Sequence, residues 1–394
     1  MDLEQILSRG VAEIIVKEEL LEKLRSGRTL RLKLGFDPSS PHLHIGHAVV
    51  LRKLKQLQEL GHKVVLIVGD WTAQIGDPSG RDETRPMLTP EEVRKNAETY
   101  MQQFFTVVDR ERTEVRWQSE WYEGFTLADV FNLASRFTLA QMMAHETFRK
   151  RYEAGKPLTL MELMYPLLQA YDSVAIQADV EFGGTDQRFN ILTGRELQAM
   201  LGQEPQDVFL VPLLSGTDGR KMSKSFFNTI DLADPPDQMY GKVMSLSDDV
   251  LIEYFTLVTD VPDEEIAEME RALAADAVNP RDLKMRLARE IVAQFHGAEA
   301  ARLAEEEFVR VFQRGEVPRE IPTYSLSSDE PQPIIELLVK VGLARSKSQA
   351  RRLIAQGGVR VDGDRVESID FMVPVRDGMV LQVGKRSFVR LKIP

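Results

Sequence analysis

The stretch from Thr29 to Asp70 leaves a chain few ways to fold. Thr29–Phe36 alternates, with Leu30, Leu32 and Leu34 on one face, which is a strand pattern. A loop rich in Gly, Pro and Ser follows, beginning at Gly35. Ala48, Val49, Leu51, Leu54, Leu57 and Leu60 then recur at helical spacing, with Arg52, Lys53, Lys55 and Gln58 between them and Gly61 as a stop. Lys63–Asp70, KVVLIVGD, is a continuous apolar run that suits a parallel strand buried on both faces. A helix N-terminus after a strand offers unpaired N–H groups and partial positive charge, a natural seat for phosphate. His44 and His47 stand three apart at that N-terminus and share a face, where imidazoles can donate to phosphate oxygens. Gly46 between them lets a flat ligand lie against the backbone. A zinc site built from His42, His44 and His47 is the weaker reading, because the chain has no Cys to complete it.

The same alternation continues. Thr113–Gln118, Asp179–Phe182 and Asp207–Val211 read as strands, with helices expected from Thr89-Pro90, over 126–135 and 138–150, and from the capping box Thr159–Glu162. Residues 1–28 read as a helical lead-in. The pattern predicts a doubly wound, Rossmann-like α/β domain over residues 1–240 with its site at the strand ends. A helical domain is expected over 241–314, a Pro-bearing linker over 315–332 and a small α+β domain over 333–394.

Charge separates the ends. From Pro331 onward there are 12 Lys and Arg against 6 Asp and Glu, a net of +6, while the whole chain carries −11. A basic module on an acidic body argues for a local grip on a polyanion rather than general nucleic-acid binding. No apolar run is long enough to span a membrane, MDLEQILSRG lacks the features of a secretory signal, and the absence of Cys removes disulfides and thiol catalysis. A cytoplasmic protein is expected.

Lys221 and Lys224 lie in a Gly- and Ser-rich loop. Two ammonium groups there, acting with His44 and His47, suit a triphosphate whose leaving pyrophosphate gathers charge. Tyr165, Gln169 and Asp172 fall at i, i+4 and i+7 of one predicted helix and so face one pocket.

His44-Ile45-Gly46-His47 and Lys221-Met222-Ser223-Lys224-Ser225 resemble the two signatures of class I aminoacyl-tRNA synthetases. Tyr165 to Asp172, Gly183-Gly184-Thr185-Asp186-Gln187 and Gly76-Asp77-Pro78-Ser79-Gly80 resemble the bacterial tyrosine enzymes in particular, and Ala344 to Ile354 resembles the small RNA-binding domain of a ribosomal small-subunit protein. The resemblance implies activation of L-tyrosine by ATP and its transfer to the 3′ end of a cognate tRNA, by a homodimer, with Mg²⁺ on the ATP phosphates. It implies His44, His47, Lys221 and Lys224 as catalytic, and Ser39, Gly46, Asp186, Lys221 and Lys224 around ATP. It implies Lys33, Asp37, Asp77, Tyr165, Gln169, Asp172 and Gln187 around the amino acid, Asp172 facing the phenol hydroxyl. Lys33 departs from the tyrosine that many bacterial members carry there, and Arg188-Phe189-Asn190 departs from the aromatic residue usual after the glutamine. No metal-binding cage is expected. Arg345, Lys347, Arg351 and Arg352 are the expected RNA contacts. The rival readings are the related tryptophan enzyme, a generic nucleotidyltransferase, and an RNA-binding protein without catalysis. Asp172, the terminal basic module and the complete His44, His47, Lys221, Lys224 set count against them respectively.

Overall fold

A computed structural model describes residues 3–79, 88–222, 226–314, 316, 321–384 and 387–393. The chain forms two compact units, Met1–Gly297 and Ala298–Pro394.

The first unit is built on a six-stranded sheet. Its strands are β1 (Glu13–Ile15), β2 (Arg31–Phe36), β3 (Lys63–Val68), β4 (Thr113–Trp117), β5 (Val180–Gly184) and β6 (Asp207–Val211), in spatial order β1-β6-β5-β2-β3-β4. β2 to β6 are parallel, and β1 runs antiparallel to β6. Val64 to Val68 of β3 and Val180 to Phe182 of β5 are buried, as strands covered on both faces require. The chain winds outward from β2 through β3 to β4, then crosses back to β5 and β6. Strand order therefore reverses between β2 and β5, and a crevice opens beyond the carboxyl ends of those two strands.

Caps explain where the main helices begin. Thr89 and Glu92 form a reciprocal capping box ahead of Pro90–Phe104, and Thr159 and Glu162 do the same for Leu160–Ile176. Further helices, Pro236–Met244, Leu251–Val258, Asp263–Ala274 and Pro280–His296, complete this unit.

Three local expectations are corrected. The lead-in is not one helix: Leu3–Ile6 and Lys17–Arg25 flank β1, whose Ile14 pairs with Phe209, a partner no local pattern reveals. The helix expected over 138–150 breaks into Leu139–Met142 and Glu146–Glu153, with His145 in extended backbone as the N-cap of the second. Part of the expected linker is strand. β7 (Thr323–Ser325) pairs in parallel with β13 (Ser387–Lys392), and β8 (Gln332–Pro333) pairs with β11 (Met372–Val373).

In the second unit, β9 (Val359–Val361), β10 (Asp364–Arg365) and β12 (Val380–Val383) join β13 and β7 in the order β10-β9-β12-β13-β7. Helices Ile334–Lys340 and Lys347–Ala355 pack with the sheet through Leu337, Leu338, Ala350, Ile354, Leu381 and Leu391.

Candidate active site

The helix Ile45–Glu59 starts at the crevice. His44 is its N-cap and His47 its third residue; the His44 N–H donates to His47 Nδ1 at 3.2 Å, and the two rings lie 4.0 Å apart. The pair is thus held by the helix start itself. A Cβ on Gly46 would stand 3.0 Å from the His44 ring and 3.4 Å from Met222 Sδ, so the second signature lies against the first. Two backbone bonds tie the segment that follows the second signature to the helix start: Ile45 N–H donates to Ile230 O at 2.8 Å and Leu232 N–H to Leu43 O at 2.9 Å. Ser39 closes a tight turn, its N–H donating to Asp37 O at 2.7 Å. Lys221 is exposed on the returning loop. Burial and the charge of Asp77 push the Asp186 carboxyl up, and the Lys221 ammonium opposes them. Lys224, with Ser223 and Ser225, lies outside the described residues, as do Gly80 and Arg81.

Beyond β2, Asp37 gathers two hydroxyls. Tyr165 donates to Oδ2 at 2.8 Å and Thr72 to Oδ1 at 2.6 Å. A Cβ on Gly69 would lie 2.3 Å from Asp37 Oδ1, so a side chain there would displace the carboxylate. Asp77 accepts from the Ser79 N–H at 2.9 Å and from Gln187 Nε2 at 2.7 Å. Gln187 Oε1 in turn accepts from Asn190 at 3.2 Å. This side of the crevice therefore presents anionic and neutral oxygens, the chemistry that receives an ammonium.

Asp172 lies deeper, 2 % exposed. Gln118 Nε2 donates to its Oδ2 at 2.8 Å and Trp121 Nε1 to its Oδ1 at 3.2 Å. The Gln118 oxygen accepts from the backbone N–H groups of Trp71 and Thr72, which leaves its amide nitrogen to face Asp172. Burial pushes the Asp172 carboxyl up to about 7, against the opposing charge of Lys33 and the two donors.

The fold thus brings His44, His47, Gly46 and Met222 together at one place, and Asp37 with Tyr165 and Asp77 with Gln187 at the strand ends. Lys33 is different. Expected beside the amino acid, it is fully buried, its ammonium turned to Gln169 O at 2.9 Å, Ser173 Oγ at 2.7 Å and Glu181 at 2.9 Å. Those partners occupy its three protons, so it has none to give a ligand. Sequence reasoning missed Thr72, Gln118, Trp121 and Glu181. A signal existed for two of them: Gln118 and Trp121 follow β4 at the carboxyl edge of the sheet, where ligand-facing residues collect.

In the second unit, Ser346 caps the helix Lys347–Ala355 by accepting from the Gln349 N–H at 3.2 Å. Arg345, Arg351 and Arg352 are exposed, and Lys347 pairs with Glu336 at 2.6 Å.

Residues 25–313 match the family model described as tRNA synthetases class I (W and Y), and residues 313–390 match that of the tyrosine–tRNA ligase SYY-like C-terminal domain. The chain is 56 % identical over 387 residues to a tyrosine–tRNA ligase of Dehalococcoides mccartyi, covering 98 % of this chain and 97 % of that one. It is 54 % identical over 388 residues to that of Thermotoga maritima, covering 98 % and 96 %. Among solved structures, tyrosyl-tRNA synthetase from Aeropyrum pernix superposes with a TM-score of 0.60 at 25 % identity, covering 77 % of this chain and 96 % of that one. A C-terminally truncated mitochondrial tyrosyl-tRNA synthetase of Aspergillus nidulans gives 0.64 at 21 % identity over 79 % and 93 %, which speaks for the fold alone.

Proposed function

The chain belongs to the class I tRNA synthetases of the tryptophan and tyrosine group, and from that premise we propose how its own residues divide the work of a tyrosine–tRNA ligase. The reaction has two steps. A tyrosine carboxylate oxygen forms a bond to the α-phosphorus of ATP as the bond to pyrophosphate breaks, giving tyrosyl-adenylate. A ribose hydroxyl at the tRNA 3′ end then attacks the tyrosyl carbonyl, and AMP leaves. Positioning and charge stabilisation carry both steps.

His44 and His47 hold the phosphates at the helix N-terminus, Gly46 lies under the adenine, and Ser39 lines the phosphate side. Lys221 and Lys224 neutralise the departing pyrophosphate. Asp186 and Gln187 serve the ribose and the carboxyl end of the substrate, and Asp37 stands near the amino acid and adenylate. The donors on the phosphate side are imidazoles and ammonium groups rather than oxygen ligands, so Mg²⁺ would be held by the phosphate oxygens of ATP itself. Asp77, Tyr165 and Gln169 receive the α-ammonium.

Asp172 carries the choice of tyrosine: a buried carboxylate, oriented by Gln118 and Trp121, accepts from the phenol hydroxyl, and phenylalanine would leave it unsatisfied. The tyrosine enzymes are themselves the standard case of this discrimination. Pyrophosphate exchange into ATP, run with each of the twenty amino acids and no tRNA, tests the reading; tyrosine alone should support it, and exchange with tryptophan would overturn the pocket assignment.

Arg345, Lys347, Arg351 and Arg352 serve as a phosphate-directed grip on tRNA, and the helical region 241–314 faces the anticodon side. We take the working form to be a homodimer in the cytoplasm. Leu127, Val130 and Phe131, at i, i+3 and i+4 of the helix Leu127–Ala134, stand exposed, as an interface with a second copy would use. Sedimentation of the full chain would show a dimer, weakened by Phe131→Glu.

A further inference from the structure

We propose that the buried Lys33–Glu181 pair is a positioning element for tyrosine binding, holding the Gln169 amide in the one orientation whose oxygen faces the substrate α-ammonium. The proposal rests on the assignment of Gln169 to that ammonium.

The pair sits where the sheet reverses. Lys33 of β2 and Glu181 of β5 are direct neighbours in the register of the two strands that border the crevice. Both are buried, 0 % and 1 % exposed. Four donors converge on Glu181. Oε1 accepts from Lys33 Nζ at 2.9 Å and from Gln169 Nε2 at 3.1 Å. Oε2 accepts from Ser173 Oγ at 3.1 Å and from Gln206 Nε2 at 2.5 Å. Ser173 Oγ also accepts from Lys33 at 2.7 Å, which commits its own proton to Glu181. A carboxylate only accepts, so Gln169 must turn its NH₂ toward it and its oxygen away. The flipped amide would set oxygen against oxygen and lose a charge-assisted bond. Gln169 is half-buried while Glu181 is fully buried. Tyr165, one helical turn earlier, reaches Asp37 at the crevice.

Lys33 matters to this orientation through Glu181. Its ammonium is the counter-charge that lets the buried carboxylate stand there as an acceptor only, and an acceptor disfavours the flipped amide. Glu181→Gln lifts that constraint, because an amide both donates and accepts.

The test compares two ligands on the full chain by titration calorimetry. Tyramine carries the phenol and the ammonium without the carboxylate; 3-(4-hydroxyphenyl)propionate carries the phenol and a carboxylate without the ammonium. Glu181→Gln should weaken tyramine about tenfold or more and leave the propionate within about twofold, since a hydrogen bond to a charged group is at stake. On a Gln169→Ala background the further loss should vanish. The double variant Lys33→Met, Glu181→Gln removes both charges together and reads the same difference if a single variant fails to fold. Equal losses for both ligands would reduce the pair to a structural role and overturn the proposal. So would tyramine binding that falls with Gln169→Ala but not with Glu181→Gln. Tyramine binding unchanged by Gln169→Ala would overturn it together with the ammonium assignment on which it rests.

Discussion

The indole N–H of Trp121 donates to Asp172 Oδ1 across 3.2 Å, and Gln118 donates to the other oxygen at 2.8 Å. Both bonds favour the ionised carboxyl, which burial pushes up to about 7. Trp121→Phe removes one of them and keeps an aromatic ring. The Asp172 midpoint should rise, and tyrosine binding at pH 7 should fall while recovering as the pH is raised to 8.5. Tyrosine dissociation constants measured from pH 6 to 9 check this; an unchanged midpoint would count against a role for the indole.

The same carboxyl sets stability against binding. Its folded value, about 7, lies above the ordinary value of 3.8. Its contribution to stability is therefore full below about pH 4 and lost as the pH rises through about 7. Asp172→Asn should gain stability relative to the parent between pH 5 and pH 8 in urea unfolding, while losing tyrosine affinity about 10- to 100-fold, as expected for a hydrogen bond to a charged group. A stability difference that does not change with pH would contradict the assignment.

Lys221 is assigned to charge that develops only as pyrophosphate departs. Lys221→Ala should slow single-turnover adenylate formation by about 10²-fold or more, the scale of a lost transition-state donor, with tyrosine affinity within about twofold. A loss confined to KM would place Lys221 in ground-state binding instead. Lys224→Ala is expected to behave alike.

Arg151 and Glu162 form a buried pair, 2.7 Å apart and 2 % and 3 % exposed. Glu162 also accepts from the Thr159 N–H at 3.0 Å in the capping box of the helix that carries Tyr165, Gln169 and Asp172. Arg151→Met should destabilise the protein by about 3–5 kcal/mol, because it leaves a buried carboxylate without its counter-charge. Urea midpoints at pH 7 measure the loss.

A chain ending after Arg314 should keep tyrosine-dependent pyrophosphate exchange and charge tRNA poorly at ordinary salt. The cut belongs there rather than near residue 330, since β7 pairs with β13 and would lose its partner. Equal charging by the short and full chains would remove the residues beyond Arg314 from tRNA binding.

Local chemistry made much of this protein legible before folding. Apolar periodicity marked the helix Ile45–Glu59 and the buried run of β3, capping boxes marked the starts of Pro90–Phe104 and Leu160–Ile176, and the i, i+4, i+7 spacing placed Tyr165, Gln169 and Asp172 on one face. Each is set by residues within a few positions of one another. The strand order was not of that kind, and neither was β1, paired with a strand nearly two hundred residues away. Lys33 was expected at the ligand because it stands two residues before Gly35, where the family resemblance puts a tyrosine; its true partner, Glu181, reaches it only when β5 returns beside β2. Gln118 and Trp121 became the orienting pair of Asp172 in the same way, across more than fifty residues. Local sequence decides what most segments form and which groups each offers. Which of those groups meet is decided by the crossover that returns β5 beside β2, since a buried charge takes its partner from whatever the closed fold sets beside it.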